Sequence, residues 1–142
     1  MSKSWVMNWE KYGPTLGGMS AIWVVLFHLD RNLNQTNEED IFKLRHPVIL
    51  TRGELFQRMV GKDEILVNSL HGQGIDRLGE GLIIQAISDD NVVEGISIKN
   101  HPNFGAAVQW HTEFHPDREE HSLSRRLYEA FGQAANQRMQ SR

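Results

Sequence analysis

From His46 onward the chain alternates short apolar runs with polar punctuation. His46 to Thr51 (HPVILT) predicts a short strand, closed by Gly53. Glu54 to Val60 (ELFQRMV) predicts one or two helical turns. Glu64 to Asn68 (EILVN) predicts an apolar strand that runs into a Gly-rich loop, Ser69 to Gly74 (SLHGQG). Leu82 to Ser88 (LIIQAIS) predicts another strand. Asp89-Asp90-Asn91 has turn chemistry, so Val92 to Lys99 (VVEGISIK) should return antiparallel as a hairpin. After a second turn, Asn100 to Asn103, the run Phe104 to Trp110 is nearly all apolar, as in a strand buried on both faces. At the C-terminus Leu123, Leu127, Ala130, Phe131, Ala134 and Ala135 recur at three- and four-residue spacings. They make one stripe of a closing helix, with Arg125, Arg126, Gln133, Gln137 and Arg138 on its other face. Strands followed by a closing helix suit an α/β or α+β layer.

Residues 1–45 read differently. They hold Trp5, Trp9 and Trp23, three of the four tryptophans, and a polar run from Asn32 to Asp40. Thr36 with Glu39 has the spacing of a capping box for a short helix through Phe42 and Leu44. We therefore divide the chain into a divergent N-terminal segment, 1–45, and a unit spanning 46–142.

Composition narrows the functional classes. The 142 residues are one domain's worth of chain, 39% hydrophobic and 23% charged, which is enough to bury a core. A net charge of −3 without a basic stripe points away from nucleic acid. The longest apolar stretch, Ala21 to Leu29, is too short to span a bilayer. The absence of cysteine removes disulfides and thiolate metal sites and suits a soluble cytoplasmic chain.

The candidate chemistry sits at the end of the Phe104–Trp110 run. His111 and Glu113 are two residues apart, so on a strand they leave the end on one side, where a carboxylate can orient an imidazole. That is a base and its orienter without a nucleophile. His111, Glu113 and His115, with His101 and His121 nearby, also suggest a metal site. Their spacing matches no strong signature, and a polar strand end running into a turn at His115-Pro116 accounts for them, so no metal is expected. The HGQG loop lacks the spacing of a phosphate-binding loop and reads as a tight turn.

Three segments then carry a family resemblance: VNSLHGQGIDRLGEGL (Val67 to Leu82), SDDNVVEGI (Ser88 to Ile96) and HPNFGAAVQWHTEF (His101 to Phe114). In this order and spacing they resemble the class I glutamine amidotransferase-like hydrolases of peptidase family C26, in particular the γ-glutamyl-γ-aminobutyrate hydrolase branch, which acts in putrescine breakdown. The likeness runs from His46 to the C-terminal helix, about two thirds of the chain, and corresponds to roughly the second half of a family member. It implies the C-terminal half of a flavodoxin-like α/β fold, with a β-hairpin and a closing helix. It also implies a Cys-His-Glu triad in which His111 and Glu113 fill the His and Glu positions. Thr112 stands where the family motif usually has proline. Ser69, His71 and Gln73 fall in the loop that borders the substrate pocket.

The resemblance calls for no cofactor. Its partner would be a small γ-glutamyl substrate, with neither nucleic acid nor membrane involved. The family's cysteine lies on a strained turn flanked by glycines, which is not found here. Leu16-Gly17-Gly18 resembles a segment a little downstream of that cysteine, which would put the nucleophile position near Val6. Ser69 lacks the elbow that would make it a substitute. We therefore expect a chain inactive alone: a truncated product, one part of a split enzyme, or a degenerate paralogue kept as a non-catalytic interaction module. A half-domain leaves sheet edges and apolar faces uncovered, so the expected partners are further copies of the chain or a complementary polypeptide.

Overall fold

The computed structural model describes residues 37–71 and 74–141. The expectations for the three tryptophans, Thr36, Gln73 and the Leu16-Gly17-Gly18 segment lie outside those residues. In chain order the elements are α1 (Glu38–Ile41), β1 (His46–Leu50), α2 (Leu55–Val60), β2 (Glu64–Val67), β3 (Leu82–Ser88), β4 (Val93–Ile98), β5 (Ala106–Val108), a 3₁₀ turn at Glu119–His121, and α3 (Ser122–Gln140).

The strands form one sheet in the order β2-β1-β3-β4-β5, with every neighbouring pair antiparallel. The implied flavodoxin-like arrangement is therefore corrected in one respect. The described part of this mixed α/β unit contains no parallel pair: β3 and β4 form a hairpin, while β2 and β3 lie on opposite sides of β1 and each pairs antiparallel with it. The register brings five strand ends together. His46 pairs with Val67, Val48 with Ser88, Ile87 with Val93 and Gly95 with Val108. The start of β1, the ends of β2, β3 and β5 and the start of β4 thus meet at one edge of the unit.

Local chemistry explains the elements. α2 stops at Gly61, whose φ of 66° is the left-handed conformation glycine adopts without strain, and whose N–H bonds to Gln57 O. The β3–β4 turn uses Asn91 at φ 66°. The pairing of β3 with β4 shifts on both sides of Ala86, next to Gln85. Gln85 is fully buried, yet its amide donates to Ser97 Oγ (2.8 Å) and accepts from Phe56 N–H (3.0 Å). The bulge therefore leaves no unpaired group on that side chain. Gly95 is required by a close approach: a Cβ there would lie 2.6 Å from Phe56 Cε2.

The core lies between one sheet face and the two helices α2 and α3. Val48, Leu50, Phe56, Val67, Ala86, Ala106, Val108, Trp110, Leu123 and Leu127 form it, and Phe56 meets Trp110 edge to face at 6.3 Å. Only the first two turns of α3 are seated. Leu123, Ser124 and Leu127 are buried, Ala130, Phe131 and Ala134 are half-buried, and Ala135 and Met139 are exposed. Ile49 and Leu66 are exposed large apolar side chains on adjacent strands.

Two expectations are revised. The strand over Phe104–Trp110 is only Ala106–Val108; Gln109 and Trp110 are buried and form a bend, with Gln109 still bonded to β4 through Glu94 O and Val93 O. The helix expected to run through Phe42 and Leu44 ends at Ile41. Its cap is Asn37, whose Oδ1 accepts from Glu39 N–H at 3.1 Å. No helix among the described residues is long and apolar enough to cross a membrane.

Candidate functional site

His111 and Glu113 meet in a turn, not at a strand end. β5 stops at Val108, and Thr112 and Glu113 form the turn that follows His111. Alternation along a strand is therefore not what aligns them; the turn folds the carboxylate back onto the ring. His111 Nδ1 lies 2.6 Å from Glu113 Oε1, a short charge-assisted contact. A carboxylate only accepts, so the ring donates Nδ1–H, and a proton exchanged with a reacting group would pass through Nε2. The His111 side chain is 13% exposed and that of Glu113 49%, so the pair sits at the rim of the fold.

The backbone beneath this pair is held more firmly than its side chains. Asn68, 1% exposed at the end of β2, clamps His111 from both sides. Its Oδ1 accepts from His111 N–H (2.8 Å) and its Nδ2 donates to His111 C=O (3.0 Å). The flanking residues are tied to α3: Trp110 Nε1 donates to Ser124 Oγ at 3.3 Å, and Thr112 Oγ1 donates to Tyr128 OH at 3.3 Å. Thr112 is buried, and its hydroxyl is used in this tie. Three successive residues are thus fixed from two elements, and the imidazole inherits that placement.

The outer side of the turn is covered by the segment around α1. Phe42 packs edge-on against the His111 ring (5.1 Å) and stacks on Phe114 (4.9 Å). Glu39 reaches His115 Nε2 (3.0 Å) and takes both terminal nitrogens of Arg118, the nearer at 2.9 Å. Hydrogen bonding to the Arg118 guanidinium holds the Glu39 carboxyl below its ordinary range. His121, buried behind Phe114, has its pKa lowered by desolvation. His111 and His115 are thus engaged by different carboxylates, and among the described residues no three His, Asp or Glu side chains are grouped to hold a metal ion.

Ser69 and His71 are brought together elsewhere. They line a cavity of about 490 Å³ with His46, Gly74, Asp89, Asp90, Val92 and Glu94. His111 and Glu113 are not part of that lining, but the two places are adjacent through the backbone. Asn68 precedes Ser69, and Gln109, two residues before His111, donates its N–H to Glu94 O at 2.8 Å. Three residues that sequence reasoning missed matter here: Asn68, His46 and Glu94. The signal for Asn68 was faint, a polar residue ending an apolar strand; nothing local marked the other two.

The sequence profile of the Peptidase C26 family matches residues 16–113. The chain belongs to the peptidase C26 family. The matched residues begin within the segment 1–45 and run through the His111–Glu113 turn. As a C26 chain it is 40% identical to the γ-glutamyl-γ-aminobutyrate hydrolase of Escherichia coli over 87 residues, 61% of this chain and 33% of that protein. A Schizosaccharomyces pombe protein named as a candidate glutamine amidotransferase is 43% identical over 88 residues, 62% of this chain and 33% of that one. The chain therefore spans about a third of the length of the curated relatives it matches. Among solved structures, a protein from Thermoplasma acidophilum described as a candidate GMP synthase subunit superposes with a TM-score of 0.51 at 25% identity, covering 68% of this chain and 46% of that one. The antiparallel sheet with its C-terminal helix is thus a partial domain resembling glutamine amidotransferase structures.

Proposed function

We propose that these C26 residues supply the general base and its orienter to a γ-glutamyl amide hydrolase whose thiol lies on another stretch of polypeptide. The observation that carries this reading is the His111–Glu113 contact of 2.6 Å on a backbone clamped by Asn68. The 142 residues contain no cysteine, so the attacking atom is not among them. In the proposed reaction His111 takes the proton of the incoming thiol as sulfur adds to the γ-carbonyl carbon. It returns that proton to the departing amine as the C–N bond breaks. Water, deprotonated by the same imidazole, then cleaves the thioester and restores the thiol. Glu113 keeps the ring in one tautomer and stabilises its charged form. Ser69, His71 and Gln73 would border the substrate.

The half-exposed apolar side chains Ile49 and Leu66 favour a complementary chain over a free-standing unit. The test is hydrolysis of γ-glutamyl-γ-aminobutyrate and of glutamine, by the chain alone and mixed with a polypeptide carrying a Gly-x-Cys-x-Gly segment. Activity only on mixing, lost with His111→Ala, is expected. Activity of the chain alone would overturn the reading that the thiol comes from elsewhere. A stable complex without hydrolysis would favour the second reading, a non-catalytic interaction module.

A further inference from the structure

A backbone clamp does not by itself orient a side chain. Asn68 fixes the N–H and C=O of His111, but the imidazole still turns about χ1 and χ2. Nor does its carboxylate partner settle the ring. Glu113 is 49% exposed and turns about its own χ1 to χ3, so it can follow the imidazole as readily as hold it. The contact of 2.6 Å between Nδ1 and Oε1 therefore needs a further constraint on the ring.

The segment around α1 supplies one. The Phe42 ring meets that of His111 at 5.1 Å between centroids and 62° between planes, and it stacks on Phe114 at 4.9 Å and 28°. Edge-to-face contact is directional, and a pair of this kind shifts the balance between two ring orientations by about two- to tenfold. Phe42 is itself placed by a charge. It caps the C-terminal end of α1, its N–H bonded to Glu38 O, and Glu39 stands three residues before it, on the same side of the turn. Glu39 takes the two terminal nitrogens of Arg118 and meets His115 Nε2 at 3.0 Å. α1 is a single turn with no buried residue, so packing alone does not seat it. Its exit is tied down by Arg45, whose backbone N–H donates to Val67 O at 2.8 Å and whose guanidinium donates to Asp40 O at 2.7 Å.

We propose that Phe42 is a positioning residue for His111, holding the imidazole in the orientation that brings Nδ1 to Glu113, and that Glu39 latches Phe42 in place through Arg118 and His115. The consequence for catalysis rests on the proposed function; the positioning itself does not.

The experiment reads the tautomers of His111 in the uniformly ¹⁵N-labelled full chain at pH 8, from two- and three-bond ¹H–¹⁵N correlations. A ring bound to Glu113 carries its proton on Nδ1, and a ring that turns away loses that preference. The ratio of the Nδ1–H to the Nε2–H form should fall about threefold or more in Phe42→Leu, which keeps an apolar side chain without a ring. Amide exchange at His111 should stay within about twofold, because the Asn68 clamp is untouched. An unchanged ratio in Phe42→Leu would overturn the positioning. So would a fall matched by faster amide exchange at His111, which would mean that Phe42 supports the turn and not the ring. Glu39→Gln should lower the ratio in the same direction. Raising NaCl from low ionic strength to about 1 M should lower it in the unsubstituted chain and move Glu39→Gln less, because the substitution removes the charge that salt would screen. An equal salt response in the two chains would overturn the latch. Should Phe42→Leu not fold, Glu39→Gln and its salt response decide. No arm needs a thiol or a substrate, so failure of the hydrolase reading is scored separately by the mixing assay.

Discussion

His111–Glu113 and His71–Glu94 are both imidazole–carboxylate contacts, and they are built in opposite ways. The first has its carboxylate 49% exposed and draws its order from the backbone, through the buried amide of Asn68. The second has its carboxylate 2% exposed and is held by side chains, two imidazoles on one oxygen. Water screens the Glu113 carboxylate of the first pair, so the pair's contribution to stability is small. Burial strips hydration from the second, so each donor it has or lacks is felt in full. The rim pair leaves its carboxylate open to solvent, while the buried carboxylate ties His46 and His71 to the start of β4.

The comparison breaks most severely at its backbone support. Asn68→Ala leaves the N–H and C=O of His111 without their partners, at roughly 1–3 kcal/mol each. We expect a loss of about 2–4 kcal/mol in denaturant unfolding, with faster amide exchange at His111. A loss below about 0.5 kcal/mol would show that the clamp does not order the turn.

A somewhat smaller effect is expected from Gly95→Ala, which tests the core beneath both places. Its Cβ would meet Phe56 Cε2 at 2.6 Å and Ala86 Cβ at 3.1 Å, so overpacking should cost about 1–3 kcal/mol. An unchanged melting temperature would mean that Phe56 moves aside without cost. Glu113→Gln then sharpens the contrast. Stability should change by less than about 0.5 kcal/mol, since an exposed pair contributes little, while hydrolysis reconstituted by mixing should fall at least tenfold. A parallel fall in stability would return Glu113 to a structural role.

The smallest effect concerns pH. Desolvation lowers the His121 pKa in the folded chain below its ordinary 6.5. The folded state therefore favours the neutral ring, and its contribution is complete above about 6.5 and lost as pH falls through the lowered value. Unfolding free energy should decline on going from pH 7.5 to 5.5, and His121→Phe should flatten that slope. The Glu39–Arg118 contact has the same sign at lower pH, its contribution fading below the ordinary carboxyl value of 4.5. It is exposed, so Glu39→Gln should shift the acid midpoint only slightly.

Much of the local order is legible in the chain. β1 to β4 and α2 follow from apolar runs bounded by Gly53, Gly61 and Asp89-Asp90-Asn91, because strand and turn preferences act over a few residues. The apolar run Phe104–Trp110 overstates its strand because such a run reports burial, and burial need not mean sheet. Trp110 is covered by Phe56 and bonded to Ser124 on α3, not paired in a ladder. The spacing of Glu39 suggests a cap, yet its carboxylate binds His115 and Arg118, 76 and 79 residues away. The pairing of His111 with Glu113 follows from their spacing, but a turn produces it where strand alternation was expected to.

What the sequence by itself determined is the set of elements, the His111–Glu113 pair and the family, all of which rest on residues close together in the chain. Tertiary structure alone decided that Asn68 clamps His111 across 43 residues and that His46, His71 and Glu94 share one buried carboxylate oxygen. The physical reason is the antiparallel register. It gathers five strand ends at one edge of the sheet, and apart from the β3–β4 turn the residues that meet there come from distant stretches of chain.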